Sequence, residues 1–362
     1  MDEQTKAQLF RRNEQIIEAV KKKAQIVCPG AVDLIAIAGS FANGDYWEKS
    51  DLDLLIVINS GEGWKIGTCF ILGDVAHDIY CHTWECLEQM AEYRDPHVIK
   101  LVSVEMVYCA SDAVRMRYEK LKEKMRKTLA KPLCSEDLPK IRAHYDQALQ
   151  YFAKMSLAES FGPCKYVSAG VLVELESVLY LLNKSYIAHG IKGIPSEICG
   201  LERLPELFEV RYQALIQADS MESAQRAARD LLRAVDALLK QVESELNFKQ
   251  EATADALRGT YEEIFSNWRN KMNYAAQNQD RYLAFMSTAS CQAMYDELQE
   301  AIDMPVHDLF AGFDGKDLDA AEVNFVCVME EYRKLYQAAG LEVSRFDTVE
   351  EFAAWYLEET KS

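Results

Sequence analysis

Apolar positions along this chain follow two periods. Residues 3–27 carry Leu9, Ile16, Ile17, Val20 and Ala24 on one stripe, which predicts an amphipathic helix stopped by Cys28-Pro29-Gly30. Short β-rich runs follow at 32–38, 52–58, 68–72, 75–82 and 104–109, separated by the turn sequences Asn43-Gly44, Ser60-Gly61-Glu62-Gly63 and Gly73-Asp74. From Asp112 onward the alternating pattern gives way to three-to-four residue spacing. Helices are predicted over 114–129, 138–158, 165–188 and 221–246, then over 252–276, 281–302, 318–339 and 348–359. No repeat of fixed period and no low-complexity linker interrupts them. The pattern predicts a small N-terminal α/β unit, residues 1–112, a helical unit, 113–250, and a further helical region, 251–362. The aromatic residues of that last region, Tyr261, Trp268, Tyr274, Tyr282 and Trp355, are expected in its core.

Charge narrows the classes of partner. The 362 residues include 40 Lys+Arg and 58 Asp+Glu, a formal net charge of −18, with 49% hydrophobic and 27% charged positions. By segment the net charge is −8 over 1–112, +3 over 113–250 and −13 over 251–362. Such a chain repels nucleic acid and anionic membranes, which argues against both as main partners. No apolar stretch approaches the roughly 18 residues of a membrane span, and the N-terminus lacks the basic start and apolar block of a secretory signal. The ten cysteines are scattered without a Cys-x-x-Cys pair, the usage of reduced thiols in a cytoplasmic protein.

One segment carries chemistry. A β-rich run ends in Gly39-Ser40, and a second opens with Asp51-Leu52-Asp53-Leu54. Side chains two apart on an extended segment share a face, so Asp51 and Asp53 point together while Leu52 and Leu54 turn to the core. Paired carboxylates repel unless a cation lies between them, which suits one or two Mg2+ ions bound with substrate phosphates. Gly39 allows close backbone approach to a phosphate, and Ser40 offers a hydroxyl and an N–H to the same anion. A third carboxylate, Asp78, stands among apolar neighbours in the 75–82 run, where it faces the same cations if that strand adjoins the Asp51/Asp53 strand. Ser50 reads as a turn residue, His77 and His82 as ordinary strand histidines, and His189 as a helix C-terminus.

Gly39-Ser40, ten residues, Asp51-Leu52-Asp53-Leu54 and the later Asp78 together resemble the nucleotidyltransferase superfamily that includes polymerase beta, over residues 32–112. An N-terminal catalytic domain followed by helices is similar to the branch of kanamycin nucleotidyltransferase and the aminoglycoside adenylyltransferases. The resemblance implies an α+β fold, a mixed sheet with flanking helices followed by an all-α helical bundle, and a nucleoside triphosphate with Mg2+ as reactants. By it, Gly39 and Ser40 hold the triphosphate, Asp51 and Asp53 bind both metals, and Asp78 binds one metal or acts as base.

In the helical region the resemblance makes Lys184 and Lys192 candidates for approaching the triphosphate. Glu174, which interrupts the stripe Val171, Leu175, Val178 and Leu182, is a candidate general base beside Asp146 and Glu159. The expected activity is transfer of AMP from ATP to a hydroxyl of a small acceptor, releasing pyrophosphate. The acidity of the chain favours a cationic acceptor such as an aminoglycoside. AMP transfer to a protein hydroxyl, and a catalytically silent nucleotide sensor, are the alternatives; synthesis on tRNA or poly(A) calls for a basic groove that the charge distribution does not offer.

Overall fold

The computed structural model describes residues 1–246 and 249–358. The chain forms two compact units, Met1–Leu246 and Asn247–Ser362.

The first unit begins with α1 (Glu3–Val27), capped by the Asp2 carboxylate on the Thr5 N–H at 2.7 Å. Then come β1 (Val32–Ile37), the short helix α2 (Gly39–Asn43), β2 (Leu54–Ile58), β3 (Thr68–Leu72), β4 (Val75–Ile79) and β5 (Cys81–Thr83). α3 (Trp84–Met90), α4 (Ile99–Val102) and β6 (Glu105–Cys109) complete the α/β part. The main sheet has the order β5-β2-β1-β6, with β1 antiparallel to β2 and β6, and β2 parallel to β5. It is the mixed sheet with flanking helices that the resemblance implied.

β3 and β4 lie outside this sheet, paired only with each other. The single run expected over 75–82 is therefore two strands, parted at Tyr80, the first serving the hairpin and the second the sheet.

Strand β2 is buried at all five positions because it is covered on both faces. Leu54, Ile56 and Ile58 pack with Ile16, Ile17, Val20 and Ala24 of α1. Leu55 and Val57 enter a larger core that continues through α5 (Asp112–Ala130), α6 (Leu138–Ser156), α7 (Phe161–Leu182), α8 (Gly190–Cys199), α9 (Phe208–Gln217) and α10 (Met221–Leu246). Sheet and helices 112–246 thus share one core, and the division expected after residue 112 is no break in packing. The physical reason is that β2 has two apolar faces, of which α1 covers one; the helical body covers the other. α7 is the central helix, with every residue from Leu175 to Leu182 buried. It ends six residues earlier than the helix expected over 165–188.

The second unit has its own core, which includes Leu257, Ile264, Met272, Tyr295, Phe325 and Tyr332. The helix expected over 252–276 is divided into α11 (Ala254–Leu257), α12 (Thr260–Ile264), a π-helical turn (Phe265–Arg269) and α13 (Asn270–Asn278). The first break falls at Gly259, whose φ of +83° is left-handed. α14 (Arg281–Ala301), α15 (Leu318–Ala338) and α16 (Val349–Glu358) follow; residue 359 of the expected last helix lies outside the described residues. Tyr261 is buried as expected and Trp268 packs partly buried against that core, but Tyr274, Tyr282 and Trp355 are exposed: the first two occupy outer positions of α13 and α14, whose inner faces are filled by other residues, and Trp355 stands on α16, none of whose described residues is buried. Among the described residues, no helix is long and apolar enough to cross a membrane.

Candidate active site

β1 runs alongside β2 until Ile37 pairs with Leu54, and the Ala38 N–H then donates to the Asp53 carbonyl at 2.9 Å. The chain turns sharply at Gly39, with φ of +60°. A Cβ at this position would lie 2.0 Å from Asp53 Oδ2. Only glycine accommodates both the backbone and the carboxylate, so the Gly39 requirement and the Asp53 position are one feature. α2 follows and ends at Gly44 in the left-handed region. Phe41 stacks on Tyr46 at 4.7 Å, and Phe10 of α1 meets both edge-on, which fixes this segment to the first helix.

Residues 51–53 precede β2 rather than opening it. Leu52 is 1% exposed and turns inward, leaving Asp51 and Asp53 on a cavity of about 360 Å3 that also takes in Gly39, Ser40, Asp45, Lys100 and Lys192. Ser50 shapes the preceding turn: its hydroxyl accepts from Trp47 N–H at 3.0 Å, and its carbonyl accepts from Arg12 at 2.7 Å. Burial, reinforced by the charge of Asp51, raises the Asp53 carboxyl above its ordinary pKa, and the Lys100 ammonium opposes that shift.

The opposite wall comes from residues 188–192. Asn43 donates to the Ala188 carbonyl at 2.5 Å and accepts from Ser103 at 3.0 Å. Glu197 accepts from the N–H groups of Ala188 and His189, at 3.0 and 2.7 Å, and from Tyr180 at 3.2 Å. It also pairs with the His189 ring at 2.8 Å. Rather than ending a helix, His189 precedes α8, after a loop that follows the end of α7 at Leu182. Lys192 donates to the Asp45 carbonyl at 3.4 Å. Lys100, Asp45 and Glu197 are contributors that the sequence reading missed. Each is distant in sequence from the Gly-Ser and Asp-x-Asp segments, and the one available signal was an Asn-Gly-Asp turn close after Gly39-Ser40.

Gly39, Ser40, Asp51, Asp53 and Lys192 thus meet in one cavity. Three other candidates do not join them. Asp78 lies on β4, whose alternation buries Val75, His77 and Ile79 and exposes Ala76 and Asp78. Its carboxylate accepts from the Cys69 thiol at 3.2 Å across the hairpin. The strand that does adjoin β2 is β5, and it starts only at Cys81, so Asp78 is not placed to face the aspartate pair. Lys184 is tied to Asp137 at 2.6 Å, where it caps a buried corner instead of facing the cavity. Glu174 pairs with His144 at 2.7 Å, and that ring also contacts the Arg94 carbonyl at 3.0 Å. The polar position that interrupted the α7 stripe is thereby satisfied within the helical body. Asp146 and Glu159 are exposed.

The histidines differ from ordinary strand residues. His82 is buried, and its pKa is depressed to about 4 by burial and by Lys100, whose ammonium lies 3.5 Å from Nε2. His77 is 2% exposed, and its Nδ1 accepts from the Leu52 N–H at 3.2 Å.

Two hard carboxylate donors that face one cavity and repel each other fit a divalent cation whose other ligands are oxygens of substrate or water. Among the described residues, no group of three or more His, Cys, Asp or Glu converges in metal-binding geometry.

Residues 14–129 match the family model described as the nucleotidyltransferase domain. That span contains the whole sheet, α2 and both aspartates. No curated protein matches the chain. Among solved structures, the chain resembles a nucleotidyltransferase-like protein from Exiguobacterium sibiricum, at 10% identity and a TM-score of 0.36, over 77% of this chain and 90% of that one. A likeness of that degree carries no conclusion about this chain. The match over 14–129 does: that part of the chain is a nucleotidyltransferase domain.

Proposed function

We propose that the chain transfers AMP from ATP, with Mg2+, to a hydroxyl of a small cationic acceptor of the aminoglycoside type, in the manner of the kanamycin nucleotidyltransferase branch. The observation that carries this reading is the convergence of Asp51 and Asp53 with Gly39, Ser40, Lys100 and Lys192 on one cavity. The aspartates would hold the cation, and a second ion sharing them would take its remaining ligands from the triphosphate. When bound, such a cation polarises the α-phosphate and neutralises the departing pyrophosphate.

The chain's own residues bind and orient. Ser40 supplies a hydroxyl to the triphosphate. Lys100 and Lys192 supply positive charge on either side of it, countering the charge that builds on the leaving group. The wall held by Glu197 and Asn43 closes the cavity on the α8 side, which helps to exclude water and to align the acceptor. The acceptor hydroxyl attacks the α-phosphorus in line and releases its proton to solvent water, the bond from the α-phosphorus to the bridging oxygen breaks, and pyrophosphate departs. The cationic acceptor draws its support from the net charge of −18, since within the cavity three aspartates (45, 51, 53) stand against three lysines (49, 100, 192).

The test is incubation with labelled ATP, Mg2+ and a panel of aminoglycosides, following pyrophosphate. Wild-type protein should release it with at least one acceptor, and Asp51→Asn with Asp53→Asn should lower the rate by roughly a hundredfold or more. Release only with protein substrates would move the acceptor to a protein hydroxyl. ATP binding with no pyrophosphate from any acceptor would support a silent sensor and overturn the proposal.

A further inference from the structure

Residues 51–53 have no strand partner of their own, so the hydrogen bonds that place this short segment can be named. One runs from the Ala38 N–H to the Asp53 carbonyl at 2.9 Å, from the end of β1. Another holds the Ser50 carbonyl through Arg12 at 2.7 Å. Between the two aspartates a single residue remains, Leu52, and its N–H donates to His77 Nδ1 at 3.2 Å. The donor and acceptor are 25 residues apart in sequence and buried.

His77 is itself held in place. It belongs to the buried face of β4 and is 2% exposed. Its ring stacks on Phe70, the residue opposite it in the hairpin, at 5.2 Å and an interplanar angle of 16°. An imidazole that accepts at Nδ1 carries its proton at Nε2. It therefore has no lone pair left for a cation, and Nε2 is buried without a hydrogen-bond partner among the described residues. His77 does not serve as a third metal ligand; what it contacts is the backbone that spaces the other two.

We infer that His77 is a positioning residue: it locks the Leu52 peptide, and through it the separation and aim of Asp51 and Asp53. The hairpin that turns Asp78 outward brings His77 to the aspartates by the same alternation. This rests on the reading of the two aspartates as cation ligands. Partners of this kind, one step removed from the ligands, commonly govern metal affinity by 10- to 100-fold.

The experiment measures binding rather than turnover. Wild-type protein and variants are titrated with α,β-methylene-ATP in the presence of Mn2+, followed by calorimetry and by the Mn2+ paramagnetic resonance signal, with melting temperatures recorded alongside. Asp51→Asn tests the underlying reading: if it leaves Mn2+-dependent binding intact, the aspartates are not ligands and that reading fails. With Asp51→Asn defective, His77→Leu should weaken binding about tenfold or more. His77→Asn, whose Oδ1 can occupy the place of Nδ1, should stay within about threefold of wild type. Wild-type affinity in a folded His77→Leu protein would overturn the inference. Should His77→Leu fail to fold, His77→Gln, which moves the acceptor toward the Nε2 position, replaces it. Equal affinities for the Asn and Gln variants would then overturn the inference, and a loss confined to Gln would sustain it.

Discussion

Gly39 meets two demands at one residue. Its backbone is left-handed, at φ of +60°, and its missing side chain leaves room for the Asp53 carboxylate. A methyl there would meet Oδ2 at 2.0 Å, well inside contact distance, so backbone or carboxylate must move. Gly39→Ala should cost on the order of 1–3 kcal/mol in stability, the usual penalty for a non-glycine residue held in this region with a displaced neighbour. It should also lower pyrophosphate release, because the displaced neighbour is the proposed cation ligand. Denaturant unfolding and the release assay check the two halves separately; an active, equally stable variant would refute the coupling. Gly39, Ser40, Asp51 and Asp53 could be singled out in the sequence because they lie within fifteen residues of one another, and side chains alternate along any extended segment, whether or not it is paired in a sheet. The direction of Asp78 could not be read in this way, because it depends on which strand β4 pairs with. That choice is made at Tyr80, where the chain leaves the hairpin for the main sheet.

At the scale of elements, the helical body is set by close approach. α6 and α7 come so near that a Cβ on Gly170 would lie 2.8 Å from the Tyr151 ring. Replacing a helical glycine by alanine ordinarily stabilises by about 0.5–1 kcal/mol. Forcing an extra methyl into a filled contact costs about 1–3 kcal/mol. The second effect is the larger, so Gly170→Ala should be destabilising by about 1 kcal/mol net, contrary to the helix-propensity expectation. A thermal melt decides between the signs, and a raised midpoint would show that the Tyr151 ring gives way. Helices in this region were legible from their periodicity, but their faces were read less well. Glu174 looked like a stray charge on an apolar stripe, and only the tertiary placement of His144 supplies its partner.

The whole molecule divides where the two cores do. Every residue of the cores built on the sheet and on α5–α10 falls within 1–246, and the core of the second unit runs from Leu257 to Leu341. A protein of residues 1–246 should therefore fold cooperatively, and its midpoint should lie within a few degrees of the first transition of the full chain, about the spread expected for independent cooperative units. Circular dichroism melts of both proteins test this; an insoluble or non-cooperative fragment would show that the cores do not stand alone. A cut at residue 112, by contrast, would expose Leu34, Ala36, Leu55 and Val57, the face of the sheet that the helical body covers.

What this sequence determined by itself is what short-range chemistry can carry: a strand–turn–strand segment with glycine, serine and two aspartates at fixed spacing, and helices marked by their period. Only the tertiary structure decided which distant groups complete the cavity. Lys100 arrives on a short helix from the α/β part, and Lys192 and the Glu197-bound loop arrive from the helical body, while His77, from a hairpin outside the sheet, reaches the Leu52 N–H between the aspartates. The reason is physical. Local backbone geometry fixes where neighbours in sequence point, whereas the meeting of remote segments is fixed by how buried faces are shared, and β2, apolar on both sides, had two to share.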